Sequence, residues 1–177
     1  MSEDDEKNKR AKNFMYAQQV RHLKEKPENF ESFLKDSSAD KWAYILHDKD
    51  KGKKLHYHII LHYDNGSRVG TVANIFSDKP QYVKVWDKRW ETACAYIIHL
   101  TEKARREDKH LYDPHEVKAN FNFVALIEKI KEKYKRKNKN LKGKKVSEAI
   151  NQFADRQIDF DELVKEIGVQ KVAKNKV

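Results

Sequence analysis

The tripeptide His56-Tyr57-His58 sits inside the strongest strand pattern of the chain, residues 55–63 (L-H-Y-H-I-I-L-H-Y). Side chains alternate along a strand, so 56 and 58 project from one face, about 6–7 Å apart, while Leu55, Tyr57, Ile59 and Leu61 project from the other. The apolar set marks its own side as the core face. Two imidazoles on the opposite face stand at a spacing that can ligate one cation, although H-x-H alone reads more often as two half-exposed histidines. The preceding strand, residues 42–47 (W-A-Y-I-L-H), adds His47 at its end and then Asp48-Lys49-Asp50. A hairpin between the two strands brings this segment beside the H-x-H pair. Three imidazoles and a carboxylate form a mixed nitrogen and oxygen set, which suits Mn²⁺, Co²⁺, Ni²⁺ or Zn²⁺ better than the all-oxygen shell that Mg²⁺ prefers. Asp50 and Asp48 compete for the carboxylate position, and spacing does not choose between them.

A third element of chemistry is Tyr96, in C-A-Y-I-I-H-L (94–100). The pattern predicts a helix over about 90–103 with Trp90, Ala93, Cys94, Ile97 and Leu100 as its apolar stripe. Tyr96 falls off that stripe, beside Thr92, His99 and Lys103. Amphipathic packing with the hydroxyl in water is the ordinary reading of such a tyrosine. Next to a cation cluster it becomes the candidate nucleophile for a phosphodiester, because a phosphotyrosine stores the bond energy needed for rejoining. His99, one turn on, is placed to orient the phenol or accept its proton, and Lys103 offers a charge. His62 shares the face of 56 and 58 and either supports the cluster or stays exposed. Glu91 and Glu102 are near Tyr96 in sequence and are the candidates for a second cleavage. His110, Tyr112 and His115 read as loop contacts.

These groups need a scaffold. The chain has 177 residues, enough for one compact domain and a small appendage. Hydrophobic residues make up 38% and charged residues 37%, with only 5 Gly and 3 Pro, so a modest folded core is expected rather than a low-complexity chain. A single cysteine, Cys94, excludes a disulfide framework and a multi-cysteine zinc site. No apolar run approaches the roughly 18 residues that span a bilayer, and the acidic start is no signal peptide, so a reducing cytoplasm is expected. Lys plus Arg number 38 against 28 Asp plus Glu, a formal net charge of +10. That balance favours a polyanion, nucleic acid before membrane, since no lipidation motif accompanies it. Residues 129–145 hold ten basic residues against one acid, Glu132. Lys129, Lys131, Lys133, Lys135, Arg136, Lys137 and Lys139 are therefore the expected DNA contacts, a solvated helix end being the plainer alternative.

Along the chain, residues 1–12 read as a frayed tail and 14–20 as a first strand. A helix over about 27–36 opens on Pro27. After the strands at 42–47 and 55–63, Asp64-Asn65-Gly66 reads as a closing turn, with Ser67 capping a helix to about 76. A strand at 81–86 precedes the Tyr96 helix, a polar loop covers 104–116, and an amphipathic helix runs over about 119–136. Residues 137–145 look like a basic linker, followed by short helices at about 146–155 and 159–167 with Gly168 as C-cap. The order β-α-β-β-α-β-α gives an α+β fold with helices on one face of the sheet, not a doubly wound nucleotide fold, and no Gly-rich phosphate loop occurs.

In order, I-L-H-D-K-D (45–50), K-K-L-H-Y-H-I (53–59), A-Y-I-I-H (95–99) and K-H-L-Y-D (109–113) resemble the HUH endonucleases. More narrowly they resemble the rolling-circle replication initiators of small Gram-positive bacterial plasmids. The resemblance spans about 14–123 and implies a ferredoxin-like antiparallel sheet carrying helices. It implies metal ligands at His47, Asp50, His56 and His58, with Mn²⁺ the first expectation, and a nucleophile at Tyr96. It also implies an endonuclease and origin-binding domain over 13–136, DNA as partner, nicking with a covalent 5′ phosphate and a free 3′ hydroxyl, and a bacterial cytoplasm. The short helical region 146–177 stands where such proteins often carry an oligomerisation domain, so a homo-oligomer is left open. A conjugative relaxase, a single-tyrosine transposase and a non-catalytic DNA-binding repressor are the alternatives.

Overall fold

Five strands pair into one sheet in the computed structural model, β-branched and aromatic residues dominating its centre; the structure describes residues 7–157 and 160–168, without the side chains of 138, 139, 141, 153 and 160. The strands are β1 (Arg10–Gln19), β2 (Lys41–His47), β3 (His56–Arg68), β4 (Val83–Val85) and β5 (Lys118–Ala119). Their order is β4-β1-β3-β2-β5, and every neighbouring pair is antiparallel. The helices are α1 (Phe30–Asp36), α2 (Val69–Ile75), α3 (Trp90–Ile97), α4 (Glu102–Arg106), α5 (Phe123–Ala154) and α6 (Phe160–Ile167). The fold is α+β, as expected. No helix among the described residues is long and apolar enough to cross a membrane.

The chain divides at Glu128/Lys129 into two compact units. In the first, β3 is central. Tyr16 pairs with Ile59, Phe14 with Leu61, and Trp42 with Leu61, so these side chains share a face. That face is sealed by Phe30 and Leu34 of α1 and by Val69, Val72 and Ala73 of α2. The helices are not confined to it. Helix α3 packs on β2 and β3, and Met15, Ala43, Ile45 and Ile60, which alternate with the first set, are buried as well. One-sided packing fails because β3 carries Ile60 between its histidines, an apolar residue that needs cover.

Several expected boundaries move. Arg10 to Lys12 are not a frayed tail: Arg10 pairs with Arg68 and Ala11 with Ser67. Residues 1–6 lie outside the described residues. Asp64-Asn65-Gly66 does not end β3. The chain swells into an irregularity there, with Gly66 at φ 72, and pairing resumes at Ser67. A Cβ at position 66 would also stand 3.1 Å from the Ala11 carbonyl oxygen. Ser67 therefore does not cap α2, which Arg68 precedes.

The helix expected over 90–103 is two helices. His99 adopts φ 61, its N–H bonds to the Tyr96 carbonyl, and the Leu100 N–H bonds to that of Ala95. This is a Schellman ending with histidine where glycine is usual. Thr101 then caps α4 by accepting the Ala104 N–H at 3.2 Å.

Helix α5 begins at Phe123, where the Asn122 side chain accepts the Ala125 N–H, and runs without a break through 137–145. Those residues are not an irregular linker. They are mostly lysines, good helix formers, with no proline, and Glu132/Arg136 and Lys144/Glu148 pair one turn apart. In the second unit Ala149, Leu163 and Ile167 form a small core, and Gly168 at φ 83 closes α6 as expected.

Candidate active site

Cross-strand register places the imidazoles. His47 lies directly opposite His56, and Ile45 opposite His58, so all three rings stand on one face of the β2–β3 ladder. Ring centroids are 5.0 Å apart for His47–His56, 4.5 Å for His47–His58 and 5.0 Å for His56–His58. One nitrogen from each lies within 4.8 Å of the others. A second set, His47, Asp50 and His99, meets the same limit and shares His47.

Hydrogen bonds decide which nitrogens are free. His47 Nε2 faces the Ile97 carbonyl at 2.7 Å, so it carries the proton and leaves Nδ1 as a lone pair. His56 Nδ1 faces the Lys54 carbonyl at 2.7 Å, which leaves its Nε2 as the lone pair. His47 Nδ1, His58 Nδ1 and Asp50 Oδ1 are buried with no hydrogen-bond partner. Each such atom costs about 1–3 kcal/mol unless something satisfies it. His47 and His58 belong to the first set and His47 and Asp50 to the second, so each set offers unsatisfied atoms to a cation. Burial pushes the His47 pKa down to about 4 and holds His58 well below the usual imidazole range. Both rings are therefore neutral at pH 7, the form in which histidine ligates. Neutral nitrogens with one carboxylate suit Mn²⁺, Co²⁺, Ni²⁺ or Zn²⁺.

Asp50 Oδ2 lies 3.4 Å from His47 Nδ1, and its Oδ1 lies 3.6 Å from His99 Nδ1. Asp48 is exposed and belongs to neither set, which separates the two competing carboxylates. The ending of α3 turns His99 inward, where its Nδ1–H donates to the His110 carbonyl at 2.8 Å.

Tyr96 occupies the last turn of α3. Its ring lies 5.9 Å from that of His58 and 5.2 Å from that of Trp86. It borders a cleft of about 370 Å³ together with Asp50, His56, His58, His99 and Lys109. Lys103 does not reach this cleft; the helix break puts it on α4, exposed, beside Glu107 at 3.7 Å. His62 joins neither cluster, its ring nitrogens lying 2.6 Å from Asn13 Oδ1 and 3.0 Å from Asp64 Oδ1. Glu107 and Asp108 border the cleft, whereas Glu91 and Glu102 do not.

Tyr112 is more than a loop contact. Its ring stacks on His47 at 4.5 Å and 10°, and its hydroxyl accepts the Lys49 N–H at 3.0 Å. Burial raises its pKa to about 12. With the Tyr112 N–H on the Ile98 carbonyl, residues 110–112 strap the end of α3 to His47. No local pattern announces this, since it depends on three distant segments. His115, as expected, stays at the surface, on Asp113.

On α5, Lys129, Lys133, Lys135, Arg136 and Lys137 are exposed and Lys131 is half-buried. The Lys139 side chain lies outside the described residues.

Residues 6–125 match the family described as "Plasmid replication protein, origin binding domain". A "Replication protein" of Onion yellows phytoplasma (strain OY-M) is 32% identical over 107 residues, 51% of this chain and 27% of that protein. The matched stretch thus spans about a quarter of the relative's length. With the family match covering more than half of its length, the chain belongs to the family of plasmid replication proteins, through their origin-binding domain.

Proposed function

We propose that this chain is a metal-dependent nicking and joining enzyme of rolling-circle plasmid replication. The observation that carries the reading is the placement of Tyr96 on the same cleft as His56, His58 and Asp50, its ring against that of His58. His47, His56, His58 and Asp50 would hold the cation, which when bound polarises a phosphate oxygen and orients the scissile group. Tyr112 and the Ile97 carbonyl fix the ring and tautomer of His47, so its free Nδ1 is presented without reorganisation. Tyr96 Oη attacks phosphorus as the phenol proton leaves to water. The Oη–P bond forms, the P–O3′ bond breaks, and the departing 3′ oxygen takes up a proton from water. Joining is the reverse, a 3′ hydroxyl attacking the phosphotyrosine. The basic stretch of α5 contacts duplex phosphates, which hold the origin without reading its bases.

Single-stranded oligonucleotides tiled across the replicon that encodes the chain, incubated with protein and Mn²⁺, test the reading. One should be cut, with a covalent protein adduct, and chelator should stop both. A second reading, a binder without catalysis, is favoured by the family's description, which names origin binding and not cleavage. A binder would shift the same oligonucleotides and leave every one intact.

A further inference from the structure

Three lysines border the cleft beside Tyr96, and one differs from the others. Lys51 is 93% exposed, with its nearest carboxylate, on Asp108, 4.0 Å away, and Lys53 is exposed. The Lys109 side chain is only 35% exposed, and its Nζ is held 2.9 Å from Glu107 Oε2. Its backbone is fixed too. Asp108 takes φ 49 to turn the chain after α4, and the Lys109 N–H bonds to the Ala104 carbonyl at 3.0 Å. His110, the next residue, is tied to His99. Lys109 is thus a cation on a braced segment at the border of the cleft, less exposed than Lys51 and held by Glu107.

We propose that Lys109 contacts the scissile phosphate and supplies the fixed positive charge that the expected Lys103 cannot. The inference rests on the nicking reading above. Attack by Tyr96 moves negative charge onto the non-bridging oxygens and the departing 3′ oxygen, and a preorganised cation at that place stabilises it. Lys109 remains charged there: the hydrogen bond to Glu107 leads in raising its pKa, with the negative charge that Tyr96 and Asp50 can carry acting in the same direction. A lysine that merely tethered DNA would need no such bracing, and Lys51 on the same cleft has none.

The test measures single-turnover adduct formation on the oligonucleotide that wild type cuts, and affinity for the same oligonucleotide in a Tyr96→Phe background. Lys109→Gln should slow adduct formation about 100-fold, while affinity falls by less than about tenfold. Lys109→Arg should restore most of the rate, because it restores the charge. Lys103→Ala, which removes an exposed cation outside the cleft, should leave the rate unchanged; a loss as large as that of Lys109→Gln would overturn the assignment to Lys109. Thermal melts establish that each variant is folded. Wild-type rates in Lys109→Gln would overturn the inference, as would a loss of affinity as large as the loss of rate, or a folded Lys109→Arg no faster than Lys109→Gln. If wild type itself forms no adduct with any oligonucleotide, the nicking reading fails and this inference with it; if wild type reacts and only the Lys109 outcomes disagree, the nicking reading stands alone.

Discussion

Strand β3 has two faces built to opposite specifications. On one, Tyr57, Ile59 and Leu61 lie under α1 and α2 among aromatic rings, with Phe30 edge-on to Tyr57 at 5.0 Å and Tyr16 stacked on Phe76 at 4.0 Å. On the other, one residue out of step, His56 and His58 meet His47, which also adjoins Asp50 and His99, and three buried polar atoms there lack hydrogen-bond partners. The first face is packed for stability. The second leaves neutral imidazoles and a carboxylate oxygen unsatisfied, a cost that the proposed cation would offset. A period of two lets one strand serve both purposes, and substitutions on the two faces should fail in different ways.

The largest effect belongs to the polar face. Tyr96→Phe removes a hydroxyl and keeps the ring between His58 and Trp86, so fold and oligonucleotide affinity should survive. Adduct formation should fall by several orders of magnitude in a single-turnover assay. Tyr112→Phe, which loses the contact to the Lys49 N–H and keeps the ring stacked on His47, should cost far less activity.

Leu61→Ala and His58→Leu separate the faces directly. Leu61→Ala should destabilise the protein by about 2–5 kcal/mol in urea, with Mn²⁺ affinity of the folded protein unchanged. His58→Leu should lower Mn²⁺ affinity more than about 100-fold by isothermal titration. It should leave the metal-free protein at least as stable as wild type, because a buried unpaired nitrogen is gone. A destabilisation of His58→Leu equal to that of Leu61→Ala would erase the distinction.

Charge on α5 is a third, milder case. Reversing Lys133, Lys135 and Lys137 to glutamate should weaken duplex binding for all sequences alike and flatten its salt dependence, each lost phosphate contact removing about 0.9 from the log–log slope. Unchanged binding would return the segment to a solvated helix.

A further difference between the faces lies in pH. His47 titrates in the unfolded chain near 6.5 and in the folded protein near 4. Between those values the unfolded state binds more protons, so the metal-free protein should be fully stable above about pH 6.5 and lose stability as pH falls toward 4. Denaturation midpoints at pH 7.5, 6 and 5 check this. A midpoint that rises on acidification would mean the imidazoles are not held neutral.

Much of the site was legible because it depends on alternation. The pairing of 56 with 58, and the arrival of His47 by a hairpin, need only the period of a strand and two adjacent strand patterns. The choice of Asp50 over Asp48 was not legible, since it turns on how the chain leaves β2. Nor was the break after Tyr96: histidine at φ 61 does what glycine usually announces, so a run of helix formers masks a terminus, and Lys103, expected beside Tyr96, does not reach the cleft. The turn signal at 64–66 was real but local, overridden by pairing of Ser67 and Arg68 with the start of β1. Composition marked 137–145 as a linker although its lysines are compatible with a continuous helix.

The central claim is that the imidazole cluster and Tyr96 form one active centre. Its most direct test is peptide mapping, by mass spectrometry, of wild-type protein reacted with a cleaved oligonucleotide in Mn²⁺. The peptide containing Tyr96 should carry a nucleotide 5′-phosphate, absent when chelator is added. A phosphate on any other tyrosine, or cleavage that leaves a free 5′ phosphate and no modified peptide, would contradict it.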